Sequence, residues 1–257
     1  MERQLNGFIE GVVTQVKNWT ENEFSIQVKA DVKPYIAGQF TKLALKNIND
    51  EWVRRAYSFV NSPNQASGHS DMEFLIIDVE NGHLSPQLAQ LNIGDQIYVG
   101  DKASGFMTLS EIPAECTNLW LLSTGTAIGP FLSILSEPET QTRFDSIILV
   151  HAVRTKQELV YQKLITQLQN NYHGKLKYLP IVSREKIPGV HSGRIPQLLT
   201  NGKLISSADI TPTTENSFFY LCGNPDMVHD TKDALETLGF KKHLRRSPGH
   251  FSSENYW

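Results

Sequence analysis

The stretch Leu119-Trp-Leu-Leu-Ser-Thr-Gly-Thr-Ala-Ile-Gly-Pro-Phe-Leu-Ser-Ile-Leu135 decides how the chain is read. An apolar run, a break at Gly125 and Gly129, and a second apolar run describe a buried strand, a tight turn and a helix. Pro130 suits the first helical turn, where its missing N–H costs nothing. Such a turn aims helix N–H groups outward and fits an anionic or dinucleotide ligand. Its spacing is not Gly-x-Gly-x-x-Gly, and an ordinary strand–turn–helix would read the same.

Working outward toward the C-terminus, strands and helices alternate. Strands are expected over 147–152, 177–183 and 218–222, and helices over 194–199 and 225–238. Val160, Leu164 and Leu168 at four-residue spacing predict another helix. This rhythm is that of a doubly wound α/β domain with a parallel sheet. Toward the N-terminus the period is two: Phe24, Ile26 and Val28 alternate with Ser25, Gln27 and Lys29. Similar runs at 9–16, 40–45, 56–60, 73–79 and 96–99, separated by Asn-, Gly- and Pro-rich turns, predict a six-stranded antiparallel β-barrel. Ser85-Pro-Gln-Leu-Ala-Gln-Leu91 interrupts it as a helix start, with Ser85 as the cap and Pro86 at the first position. The boundary is expected in Ser110–Glu115, giving domains over 1–112 and 113–257.

A chain of 257 residues can bury two such cores, and 40% hydrophobic with 20% charged residues is ordinary for a globular protein. The net charge of −3 argues against general nucleic-acid binding. No apolar run reaches the roughly 20 residues of a membrane helix, and Met1–Leu5 lacks a signal-peptide core, so a cytoplasmic protein is expected. Cys116 and Cys222, far apart, fit a reducing compartment, and neither they nor the eight histidines have metal-ligand spacing.

Arg55-Ala56-Tyr57-Ser58 joins a cation, an aromatic ring and a hydroxyl, groups able to pair with a diphosphate, stack on a planar heterocycle and bond a ring nitrogen. Gly82-His83-Leu84-Ser85 offers a phosphate-binding turn ahead of Pro86. In the second half Arg154, Arg184 and Arg194 fall at successive strand ends, where a fold specific for a free ribose 2′-hydroxyl would place an acid; a 2′-phosphate needs such cations. Cys222-Gly223-Asn224-Pro225 marks another strand–turn–helix. Taken singly, each motif is as well explained by a surface charge, a plain cap or a buried small residue.

Their order is more telling than any one of them. Arg55-x-Tyr-Ser58, Gly82-x-Leu-Ser85, Gly125-Thr-Ala-Ile-Gly-Pro130, Cys222-Gly-Asn-Pro225 and Glu254-Asn-Tyr-Trp257 stand in the sequence order of the plant-type ferredoxin–NADP reductases. The chain most resembles the bacterial flavodoxin/ferredoxin–NADP reductases, departing at Ala127, where the family has a second glycine. The resemblance implies non-covalent FAD on the barrel and NADP(H) on the α/β domain. It gives Arg55 and the Gly82–Ser85 turn to the FAD diphosphate, Ala56 to the same FAD-binding strand, and Tyr57 and Ser58 to one face and the N5 edge of the flavin. Tyr256 would cover the other face and Trp257 the adenine. Thr126, Cys222 and Gly223 would meet the nicotinamide half of NADP, and Ser183, Arg184, Arg154 and Arg194 its 2′-phosphate. Ser58, Cys222, Glu254 and Tyr256 would be the catalytic set, with Glu254 in a proton-transfer or semiquinone-tuning role.

The implied reaction takes hydride from NADPH to the flavin and returns electrons singly to ferredoxin or flavodoxin. Lys241, Lys242, Arg245 and Arg246 would steer that acidic partner, and a monomer is expected. Two other readings stay open: an NAD(P)H-dependent flavin or oxygenase reductase component, and a non-catalytic FAD-binding redox sensor.

Overall fold

The computed structural model describes residues 5–256. The first half forms β1 (Phe8–Asn18), β2 (Glu23–Lys29), β3 (Phe40–Lys46), β4 (Trp52–Ser58), β5 (Asp71–Ile77), the short α1 (Ser85–Leu88) and β6 (Gln96–Gly100). The six strands make one antiparallel sheet in the order β4-β3-β6-β1-β2-β5. Phe59, just past β4, bridges Phe74 of β5 and brings the two edges together. Alternation produces the interior: Ile26, Val28, Leu43, Phe74, Ile97 and Val99 are buried, while Lys29, Lys42 and Gln96 face out.

The second half carries β7 (Asn118–Thr124), α2 (Gly129–Leu135), α3 (Pro138–Arg143), β8 (Ser146–Val153), α4 (Gln162–Asn171), β9 (Leu176–Val182), α5 (Ile195–Thr200), α6 (Lys203–Ala208), β10 (Ser217–Gly223), α7 (Pro225–Thr237) and β11 (Phe251–Asn255). Its five strands are parallel in the order β11-β10-β7-β8-β9. The chain winds from β7 outward through β8 to β9, then crosses to the other side of β7 for β10. The carboxyl ends of β7 and β10 therefore flank a topological switch point, the usual place for a ligand crevice. Both faces of β7 and β10 are buried, so these strands read as continuous apolar runs.

The two halves share packing. One apolar cluster runs from Ala37, Val60 and Leu75 of the barrel side into Phe131, Leu132 and Ile134 of α2. Polar ties flank it: Ser62 and Asn64 donate to the Glu137 carboxylate, and the Tyr161 hydroxyl donates to Glu73. The Ser133 hydroxyl donates to the Asn61 carbonyl, and that of Tyr220 to the Thr108 carbonyl.

Several boundaries differ from the sequence reading, each for a physical reason. Strand β4 begins at Trp52 rather than Ala56, because Trp52–Arg55 pair with Leu43–Lys46 even though their side chains are largely outward. Val160 lies before α4: Tyr161 adopts φ 57° and caps the helix, so the four-residue spacing overran a left-handed residue. Ser85 is inside α1, not its cap, and its hydroxyl accepts the Val79 N–H. Strand β11 was not foreseen.

Candidate active site

The first cleft, about 1120 Å³, opens between the barrel and the switch point. Strand β4 supplies its floor. Arg55, Ala56, Tyr57 and Ser58 all line it, with Arg55 and Ala56 exposed and Ser58 buried at the strand end. Burial pushes the Tyr57 phenol up to about 12, with Asp78 adding to the shift and the Arg55 cation opposing it, so the ring stays neutral across the working pH range. Gly82, His83, Leu84 and Ser85 line one end of the cleft. A Cβ on Gly82 would stand 2.6 Å from the Ser85 Oγ and 2.9 Å from the Val79 carbonyl, so this turn closes only on glycine. The Ser85 hydroxyl accepts one bond and keeps a proton to donate.

The far wall comes from the last strand. Strand β11 pairs in register with β10, setting Glu254 beside Cys222, and the Tyr256 N–H continues the ladder to the Gly223 carbonyl at 3.0 Å. Tyr256 and Glu254 thereby reach the first cleft. The Tyr256 hydroxyl interacts with the side chains of Ser58 and Cys222, so three of the expected catalytic residues converge. Cys222 is fully buried, and burial with the charge of Glu254 holds its thiol well above the usual range. Glu254 accepts the Phe106 N–H at 3.2 Å, yet burial raises its pKa despite the bonds it takes from the backbone of Phe106 and Met107.

The second cleft, about 670 Å³, runs across the carboxyl ends of the parallel strands. Ser183, Arg184, Arg154 and Arg194 line one part of it and Thr124, Gly125 and Thr126 another. Thr126 also lines the first cleft, so the Gly125 turn joins the two. Gly125 (φ 53°) starts a 3₁₀ turn that runs straight into α2, with Pro130 in the first turn. Beneath that turn lies His151, fully buried, its Nε2–H donating to the Gly125 carbonyl at 3.0 Å. Burial drops its pKa to about 4, so the imidazole is neutral. Gly223 is pressed against β7: a Cβ there would lie 2.0 Å from the Thr124 Oγ1. That hydroxyl in turn accepts the Asn224 N–H, while Asn224 caps α7 through the Asp226 and Met227 N–H groups.

The oxidoreductase FAD-binding domain family matches residues 12–102, and the oxidoreductase NAD-binding domain family matches residues 121–233. The chain is 48% identical over 251 residues to the flavodoxin/ferredoxin–NADP reductase of Escherichia coli, covering 97% of this chain and 99% of that protein. The chain belongs to this reductase family. The ferredoxin–NADP reductase of Azotobacter vinelandii is 33% identical over 253 residues, 94% of this chain and 95% of its own. A crystal structure of a ferredoxin NADP+ reductase from Neisseria gonorrhoeae, with bound FAD and NADP, superposes with a TM-score of 0.90 at 30% identity. It covers 98% of this chain and 99% of that one.

The residues present fit the two groups this reductase family handles. The first cleft exceeds the size of a drug-sized pocket and combines an apolar aromatic floor, a cation and the steric constraint at Gly82, as a flavin dinucleotide requires. The second offers three arginines and a serine, a donor set for a phosphate monoester. Cys222 and Gly223 line neither cleft: they sit behind Tyr256 and Thr124. Trp257 lies outside the described residues.

Sequence reasoning missed other lining residues. Gln39 and Phe40 at the start of β3 and Ser104, Gly105 and Phe106 of the loop after β6 border the first cleft. Thr20, Asn22 and Glu23 border the second, although they belong to the barrel. No motif marks them, because only the packing of the two halves brings them there. Among the described residues no group of His, Cys, Asp or Glu could hold a metal, and no helix is long and apolar enough to cross a membrane.

Proposed function

We infer that this enzyme moves electrons between NADPH and a small one-electron carrier, ferredoxin or flavodoxin, through FAD. The observation that carries the reading is the meeting of a flavin-sized cleft and an arginine-lined cleft at the Gly125 turn. Bound FAD would supply a centre that accepts two electrons together and gives them up one at a time. The chain's residues supply everything else.

Arg55 and the Gly82–Ser85 turn hold the diphosphate of FAD, the Tyr57 ring stacks on the flavin and Ser58 bonds its N5 edge. Ser183, Arg184, Arg154 and Arg194 hold the 2′-phosphate, while Thr126 borders the nicotinamide half and Cys222 and Gly223 back it from behind Tyr256 and Thr124. Tyr256, with its hydroxyl against Ser58 and Cys222, occupies the nicotinamide position and must swing away before the two rings meet. Burial raises the Glu254 carboxyl above its usual range, which places a proton-exchanging group near the flavin. On this reading residues 1–112 are the FAD domain and 113–257 the NADP domain, acting as a monomer in the cytoplasm. The arginine trio favours NADPH over NADH, which speaks against the flavin-reductase alternative.

Lys242 bridges Phe251 at the start of β11, and Arg245 is already engaged, stacked 4.0 Å over Phe106 and paired with Glu111 at 3.2 Å. Lys241 and Lys242 are therefore the cations to test. Reversing both to Glu should slow NADPH-driven reduction of ferredoxin or flavodoxin at low salt, with the defect shrinking as salt screens the charges. Reduction of a small uncharged acceptor should be unchanged. Equal loss with both acceptors would rule out the docking role, and no carrier reduction by wild type would rule out the reaction.

A further inference from the structure

Glu23 opens β2 on the barrel, yet it faces the other domain. Its backbone is fixed by the preceding turn, with its N–H donating to the Thr20 Oγ1 at 3.0 Å and its carbonyl taking the Trp19 and Thr20 N–H groups. The side chain is only 4% exposed, lines the second cleft, and its Oε2 is buried with no hydrogen-bond partner. A carboxylate so placed leaves a strong acceptor unsatisfied, at a cost that protonation relieves.

Among the described residues no lysine or arginine forms an ion pair with it, although three arginines line the same cleft. Glu158, from the turn before α4, faces it with a carboxylate whose oxygens take the Arg154 N–H at 3.1 Å and the Thr155 hydroxyl at 3.2 Å. Tyr161, from the same segment, spends its hydroxyl on Glu73 of β5. Lys17 of β1 lies 3.4 Å over the Trp19 ring. Asp78, past β5, adds only another acid, its N–H bonded to the Asn22 carbonyl. Arg154, Arg184 and Arg194 line the cleft beyond. Burial and the charge of Glu158 push the Glu23 carboxyl up to about 8.

We propose that Glu23 is the barrel's contribution to the dinucleotide site, and that its carboxyl takes a proton from solvent when the anionic dinucleotide enters the cleft. The inference rests on the reading of the second cleft as the NADP(H) site. A ligand bearing a pyrophosphate and a 2′-phosphate adds several negative charges to a cleft that Glu23, Glu158, Asp226 and Asp230 all line. Asp78 Oδ1 is also buried without a hydrogen-bond partner but does not line the cleft. Of the carboxyl groups that do, Glu23 is the buried one with an unpartnered oxygen, and so the one most readily neutralised. As a neutral acid, Glu23 also gains a proton to donate to a ligand oxygen, whereas Glu158 is already committed as an acceptor. Affinity for the dinucleotide should then fall as pH rises through the Glu23 titration, by up to about tenfold per pH unit.

The test is calorimetric titration of the FAD-loaded protein with NADP+ at about pH 8, repeated in buffers of different protonation enthalpy. At that pH the 2′-phosphate, with an ordinary second pKa near about 6, is fully ionised. Cys222 and Tyr256, both held well above their usual range, remain protonated. We expect wild type to take up a sizeable fraction of one proton per NADP+ bound. Glu23→Gln, which copies the neutral acid, should take up none and bind with an affinity nearly independent of pH from about 7 to 9. Glu158→Gln, with the like charge gone, should show its proton uptake shifted to lower pH. Binding by wild type without proton uptake, or equal uptake in wild type and Glu23→Gln, would overturn this inference while leaving the cleft assignment standing. No binding of NADP+ to wild type would overturn both.

Discussion

Arg184 bears the clearest consequence at the residue scale. Its backbone N–H is tied to the Arg154 carbonyl, which aligns two of the three cations on neighbouring strand ends. A charge-assisted hydrogen bond contributes about 1.5–3 kcal/mol, so Arg184→Ala should weaken NADPH binding about 10- to 150-fold. NADH kinetics should barely move, since that ligand lacks the 2′-phosphate. Equal weakening for both nucleotides would show that Arg184 serves the fold. His151 makes a different prediction. Its folded pKa of about 4 lies below the ordinary 6.5, so the unfolded chain binds the proton first. The stability tied to the neutral ring is complete above 6.5 and is lost as pH falls toward 4. His151→Asn should be less stable overall, but its melting temperature should fall less between about pH 7 and pH 5 than that of wild type. An identical fall would deny His151 this share of acid sensitivity.

At the scale of elements, the last strand does most to shape the site. Strand β11 hangs on β10, and one further backbone bond, Tyr256 N–H to the Gly223 carbonyl, fixes the ring between Ser58 and Cys222. Tyr256→Ser keeps that backbone bond and removes the ring. NADP+ added to the oxidised, FAD-loaded variant should give a stronger long-wavelength charge-transfer band than in wild type, and turnover should slow if product release becomes limiting. An unchanged band would mean that Tyr256 does not stand in the nicotinamide position. This strand was also the hardest element to read in advance. Phe251-Ser-Ser-Glu-Asn255 has one buried apolar residue, and its strand form comes from pairing with β10 rather than from its own pattern. The core strands were plain because burial on both faces writes itself as an apolar run, as in Leu119–Leu122. Helices α3 and α6 were missed because each is only six residues long, too short to show a helical period.

For the whole molecule, function lies in how the two halves meet. The motifs at Arg55–Ser58, Gly82–Ser85 and the three arginines were legible because each is local: a strand edge, a turn, a strand end. Glu23, Phe106 and His151 were not, since their roles depend on contacts between segments far apart in the chain. The shared core from Val60 to Phe131 and the ties to Glu137 and Glu73 hold the first cleft against the second, with Thr126 lining both. A flavin seated in one cleft and a nicotinamide in the other would meet at that turn. The most direct measurement is anaerobic titration of the FAD-loaded protein with NADPH and, separately, with NADH, following the flavin absorbance. NADPH should bleach the flavin rapidly and stoichiometrically, and NADH should do so far more slowly at equal concentration. Equal bleaching by both would contradict the arginine assignment, and no bleaching by NADPH would contradict the joined clefts as the route of electron transfer.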